Sequence, residues 1–154
     1  MELIYRGSRD GMTSDSFRAR CVNKGPTLTL IENNKNNIFG GYASKSWKNI
    51  NIWDNARDSF IFTLTNIYNI QPTKFPSKKE GQEIGNYSYH GPNFGFTDIY
   101  FCRNFLGSRV NSYSKFPQKY QDILGKGKSI FTGEINNEDT HISLKEIEVF
   151  QLFK

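Results

Sequence analysis

The segment Ser59-Phe60-Ile61-Phe62-Thr63-Leu64 constrains the fold more than any other part of the sequence. As a strand it sends alternate side chains to opposite faces, and it is apolar on both. Such a strand needs cover on both sides, which predicts two stacked sheets, or a sheet pair with helices laid on the remaining surfaces. It also contains the longest apolar run, far too short for a membrane-spanning helix or the apolar core of a secretory signal. With 154 residues the chain supports one core, so a single domain over 1–154 is expected.

Residue usage points the same way. There are 13 Phe, 8 Tyr and 2 Trp, whereas Ala occurs only at 19, 43 and 56. Aromatic and β-branched residues between Gly and Asn punctuation favour many short strands over a helical bundle. Strands are predicted at Thr27 to Ile31, Ile38 to Ala43, Ser59 to Thr65, Asp98 to Cys102 and Ile147 to Phe153, with a hairpin tip at Asn33 to Asn37. One helix is predicted over Thr13 to Val22, capped by Thr13 or Ser14, with Phe17 and Cys21 on one face, and Asn23-Lys24-Gly25-Pro26 stops it. A second is expected over Phe116 to Leu124, ended by Gly125. Gln71 to Tyr87 reads as a long polar loop, and its Lys78 and Lys79 are candidates for contact with a partner.

Cys21 and Cys102 are too few for a disulfide framework and lack zinc-site spacing, which fits a reducing cytosolic or nuclear setting and two small core residues. His90 and His141 belong to no recognisable metal or catalytic pattern and read as surface or loop residues. Gly40-Gly41, Gly85, Gly91 and Gly95 match no phosphate-binding fingerprint and read as turn or bulge glycines. No cofactor or metal is implied. The net charge is +5, but the bases are scattered among acids and Asn, so specific nucleic-acid binding is not expected.

The acids carry more information. Glu146 and Glu148 alternate, which places both carboxylates on one face of a strand, close enough to share a cation or perform acid/base work, or else on a solvated edge. Asp10, before Gly11, forms a turn, and Asp98 is suited to bonding a neighbouring loop.

Tyr5-Arg6-Gly7-Ser8-Arg9-Asp10-Gly11, Phe17 with Cys21, Thr27-Leu28, Phe39-Gly40-Gly41-Tyr42, Ser46-Trp47 and Asp58 to Leu64 occur in an order that resembles the TLDc domain. Gly91-Pro92-Asn93-Phe94-Gly95, Asp98-Ile99 and Glu146-Ile147-Glu148-Val149-Phe150 extend the resemblance over almost the whole chain. It implies a mainly β, α+β fold: a two-sheet antiparallel β-sandwich flanked by a few short helices. It also implies a non-catalytic interaction module, linked to protection against oxidative stress, that binds the cytosolic sector of the vacuolar-type proton-pumping ATPase. The family pattern starts earlier than this sequence, which implies a fragment of a longer protein or a missing short N-terminal element. It also has an aromatic or small residue where His90 stands. The competing readings are an enzyme built on Asp10, Asp98, Glu146 and Glu148, and a basic nucleic-acid-binding domain.

Overall fold

The computed structural model describes residues 1–135 and 139–152. The strands are β1 (Glu2–Arg6), β2 (Thr27–Asn33), β3 (Ile38–Ala43), β4 (Trp53–Asp54), β5 (Phe60–Thr65), β6 (Thr73–Pro76), β7 (Ile84–Gly85), β8 (Tyr100–Phe101), β9 (Ser112–Tyr113) and β10 (Leu144–Gln151). Six of them form one antiparallel sheet in the order β1-β10-β2-β3-β5-β6. Two short ladders, β4 with β7 and β8 with β9, supply a small second layer. The helices are brief: α1 (Gly7–Asp10), α2 (Ser14–Cys21) and α3 (Ser129–Thr132), with a 3-10 turn at Arg109–Asn111. The architecture is mainly β with a few short helices, as expected.

Period-two alternation sorts the large sheet into two faces. The inner row Tyr5, Val149, Thr29, Gly41, Ile61 and Phe75 crosses all six strands in register and is buried throughout, with room left over the glycine. Phe94 fills that room: a Cβ on Gly41 would lie 2.5 Å from its ring. Close approach of an aromatic ring, and not a turn or bulge, is therefore what Gly41 provides. Helix α2 begins as predicted, the Thr13 hydroxyl accepting from the Ser16 amide at 3.1 Å, a cap that contributes about 1 kcal/mol. It presents Phe17 to Tyr5 and Trp47, with ring centroids 5.8 and 5.6 Å away. From α3, Phe131 meets Phe39, Phe75 and Phe116 at 5.0 to 5.8 Å. Edge-on and tilted ring contacts of this kind add to the area they bury.

Four expectations are corrected. Residues 116–124 form no helix: the amides that would close its first turns are directed elsewhere, that of Tyr120 to the Asp98 carboxylate at 3.2 Å and that of Gln121 to the Pro76 carbonyl at 2.8 Å, and neither bonds the carbonyl four residues before it. The strand expected over Asp98 to Cys102 is only Tyr100–Phe101. The segment Gln71 to Tyr87 is not one open loop: it contains β6 at the sheet edge and β7 in a small ladder. The last strand starts earlier than expected and lies inside the sheet, between β1 and β2, so its carboxylates are not on a solvated edge; Phe153 lies outside the described residues.

Candidate functional site

Three of the four candidate carboxylates meet where β1 turns into α1. Glu146 and Glu148 lie on the outer face of β10, as their alternation requires. Arg6, opposite Glu148, donates to it from Nε at 2.9 Å and approaches it from a second guanidinium nitrogen at 2.7 Å. Glu146 accepts from the Ser8 amide at 3.0 Å, from the Ser8 hydroxyl and from the Ile147 amide, with Arg6 at 3.9 Å. Asp10 accepts from the Arg6 amide and from two nitrogens of Arg9, each at 2.9 Å, and Arg20 stands 3.4 Å away. Gly11, at φ +113°, releases the chain from this helical turn.

Chemically the cluster is saturated. Arg9, the Arg6 amide and Arg20 hold the Asp10 carboxyl at about 2, below the ordinary carboxylate range. Burial pushes Glu146 upward, but the Ser8 and Ile147 donors and Arg6 outweigh it and leave the group below its usual value. A general acid near neutral pH needs the opposite shift. Three carboxylates balanced by Arg6, Arg9 and Arg20 make an ion-pair clasp that ties α1 and α2 to the last strand.

Asp98 is elsewhere. It is completely buried, its carboxylate receives the three amides of residues 118–120, and its own carbonyl accepts from the Ser114 hydroxyl. Burial raises its pKa, and the three amides only partly offset that. Its role is the loop anchor anticipated from the sequence. A fifth carboxylate escaped the sequence reading: Glu83, also completely buried, accepts from the amides of Ala56 and Gly81 and from the Ser77 hydroxyl at 2.7 to 3.0 Å. The Tyr120 hydroxyl bonds its carbonyl. Nothing in the polar run Lys78-Lys79-Glu80-Gly81-Gln82-Glu83 distinguishes this acid from its solvated neighbours.

Beneath these elements lies a buried basic pair that the sequence also concealed. Arg18 of α2 is 6% exposed and donates to the carbonyls of His90, Lys48 and Gly85 and to the Asn49 side chain, at 2.8 to 3.3 Å. Burial lowers its pKa to about 10. His90 is 2% exposed, which overturns its reading as a surface histidine. Its ring is surrounded by Trp53, Tyr87, Tyr89 and Tyr100 at 4.9 to 5.6 Å, so it occupies an aromatic position of the core. Burial and then the nearby Arg18 charge lower its pKa to about 4, and its Nδ1, which lies against Gly85, has no hydrogen-bond partner among the described residues. Cys21 and Cys102 are free and buried, as expected, and burial pushes the Cys21 thiol far above its ordinary range.

Lys78 and Lys79 are exposed at the tip of a tightly bonded turn. The Lys78 amide donates to the Lys119 carbonyl at 3.0 Å. Lys79 sits at φ +66°, its ammonium donating to the Arg57 carbonyl at 2.7 Å and lying 3.5 Å from Asp58. Many other bases are paired: Arg6, Arg9, Arg20, Lys35, Lys45, Arg109, Lys119 and Lys145 each have a carboxylate within ion-pair reach.

Among the described residues no group of three or more His, Cys, Asp or Glu side chains is placed to hold a metal ion, and no helix is long and apolar enough to cross a membrane. Comparison with known proteins finds interferon-induced protein 44 of Homo sapiens, 40% identical over 48 residues, a match covering 31% of this chain and 11% of that protein. The family model for the TLDc domain matches residues 1–153. That span takes in the clasp, the buried Glu83 and Asp98 anchors and the six-stranded sheet alike, and the chain belongs to the TLDc domain family.

Proposed function

We propose that this chain is a non-catalytic interaction module, linked to protection against oxidative stress, that binds the cytosolic sector of the vacuolar-type proton-pumping ATPase. Family membership gives the reading most of its support. The observation that carries it in the structure is the state of the candidate carboxylates: Asp10, Glu146 and Glu148 are engaged by Arg6, Ser8 and Arg9, while Asp98 is engaged by backbone amides. Acids held this way stabilise a scaffold, and an enzyme built on them would first have to break those pairs. A cytosolic site of action follows from this reading.

The test mixes purified protein, shown to be folded, with the detached cytosolic sector and follows complex formation and ATP hydrolysis over a salt series. Complex formation at low salt with an altered hydrolysis rate is expected. No complex at low salt would sink the proposal.

A further inference from the structure

In the small second layer, backbone pairing continues past β8 and β9 to a third partner. Tyr100 of β8 stands opposite Tyr113 of β9, and Tyr113 is bridged on its other side to His141. The Ser114 amide donating to the Thr140 carbonyl and the Ile142 amide donating to the Ser112 carbonyl, each at 2.9 Å, frame that bridge. Alternation then sorts the side chains. Phe101, Ser112, Ser114 and Ile142 are buried, while Tyr100, Tyr113, Lys115 and His141 share the outward face. Three ring side chains thus form one cross-strand row, and Lys115 stands two residues along the strand from its middle member.

This row lines a pocket of about 340 Å³, within the size range of small-molecule sites, and Arg109 and Val110 complete its wall. The Tyr100 and Tyr113 rings lie 4.9 Å apart with a tilt of 34°, and Tyr100 is held edge-on against buried His90 at 5.6 Å, so the aromatic floor is fixed by the fold. His141 Nδ1 stands 3.1 Å from the Ser112 carbonyl, which only accepts; Nδ1 therefore carries the hydrogen, and Nε2 is the nitrogen left for a ligand. Arg109 and Asp139 pair with each other, and the Asp139 carboxyl also accepts from the His141 amide at 3.0 Å, so the charge of this acid is answered within the wall. Lys115 differs. Among the described residues no carboxylate lies within ion-pair reach of it, and its ammonium rests 5.5 Å from the centre of the Tyr113 ring. Burial raises the pKa of both phenols, so neither adds a negative charge. The pocket therefore joins an aromatic floor to a positive charge that the described residues leave uncompensated.

We propose that this pocket binds a small aromatic oxyanion, its planar ring against Tyr100 and Tyr113 and its phosphate or carboxylate group between Lys115 and His141. Each half of the site is weak alone. Ring faces accept any apolar molecule, and a single exposed lysine holds a free anion poorly because exposed ion pairs stabilise little. Together they select a ligand that carries both features on one rigid frame, as small-molecule sites do when a few polar groups orient an apolar body. The inference does not rest on the pump, because the pocket is available whether or not the protein holds the ATPase.

The probe is phenyl phosphate, titrated into isotope-labelled protein and followed by amide chemical shifts, beside inorganic phosphate for the anion alone and phenol for the ring alone. Saturable shifts are expected at Tyr100, Tyr113, Lys115 and His141, with phenyl phosphate binding more tightly than either control. Lys115→Gln and Tyr113→Leu, checked by thermal melting, should each weaken binding about tenfold, the loss expected for one charge-assisted hydrogen bond or one ring contact. Lys126→Gln removes a lysine that is likewise stacked, 4.7 Å from the Tyr68 ring but outside the pocket, and should leave the affinity unchanged. The shift map of the unsubstituted protein keeps the test valid if a variant fails to fold. Absence of saturable shifts with phenyl phosphate, shifts centred elsewhere, equal affinity for inorganic phosphate or phenol, or unchanged affinity in folded Lys115→Gln would each overturn the proposal. Binding of phenyl phosphate by protein that captures no pump sector would leave this inference standing and remove the pump as partner.

Discussion

Replacing His90 should change how stability depends on pH, and by an amount the structure allows to be worked out. The imidazole is buried among Trp53, Tyr87, Tyr89 and Tyr100 with Arg18 beside it, and its pKa falls from 6.5 to about 4. The folded state thus resists protonation that the unfolded chain accepts. Between pH 6.5 and 4 the unfolded state binds more protons at this site, so the stability that His90 contributes falls as the pH is lowered through that window and its own effect levels off below it. A difference of about 2.5 units at 1.36 kcal/mol each makes the loss about 3 kcal/mol, a large share of a typical domain's stability. In His90→Phe the ring is kept and the titration removed, so urea unfolding measured from pH 7.5 to 3.5 should show a flatter profile than the parent's by about that amount. Any packing penalty of the larger ring shifts the whole curve and leaves the difference in slope intact. Parallel profiles for parent and variant would refute the reasoning, and so would an imidazole resonance titrating near 6.5 in the folded protein.

Three further outcomes are expected. Glu83→Ala strips the amides of Ala56 and Gly81 and the Ser77 hydroxyl of their buried acceptor, and should cost about 3 kcal/mol or more in chemical denaturation; a loss under about 1 kcal/mol would mean that water takes the carboxylate's place. Cys21 and Cys102 should react with a thiol reagent much more slowly in the native than in the denatured protein, and Cys-to-Ser at both should cost about 1 to 3 kcal/mol while preserving any protective activity; loss of protection with stability intact would point to direct chemistry at sulfur. Charge reversal at Lys78 and Lys79 should slow association with the pump sector in stopped flow and leave the melting temperature within a few degrees, because exposed ion pairs stabilise little but steer encounter.

Period and capping rules made the sheet's long strands and α2 readable, since each buries a face dictated by its own spacing. What could not be read has a common cause. Glu83, Arg18 and His90 are polar residues whose burial depends on at least one group distant in sequence, Ala56 for Glu83, the carbonyls of Lys48, Gly85 and His90 for Arg18, and Trp53 for His90, and a polar residue alone in a polar stretch carries no mark of that. The missing helix at residues 116–124 is the same effect in reverse, where Asp98 and the Pro76 carbonyl, distant in sequence, take the amides of Tyr120 and Gln121 that a helix would turn back on its own chain. Of the candidate site, the sequence located Glu146 and Glu148 on one face and Asp98 as an anchor, but the convergence of Asp10 on α1 required the pairing of β1 with β10.

That pairing also governs the order in which the protein can assemble as it is synthesised. In the large sheet β1 has β10 as its neighbour, and β10 separates it from β2, so two strands made early wait for one made more than a hundred residues later. Until then β2 has an open edge, and the Tyr5-Val149-Thr29 row has a gap at its middle. Contacts that close so long a stretch of chain form slowly. During that interval the exposed edge of β2 is open to strands of other molecules, which makes the nascent chain the stage most vulnerable to aggregation.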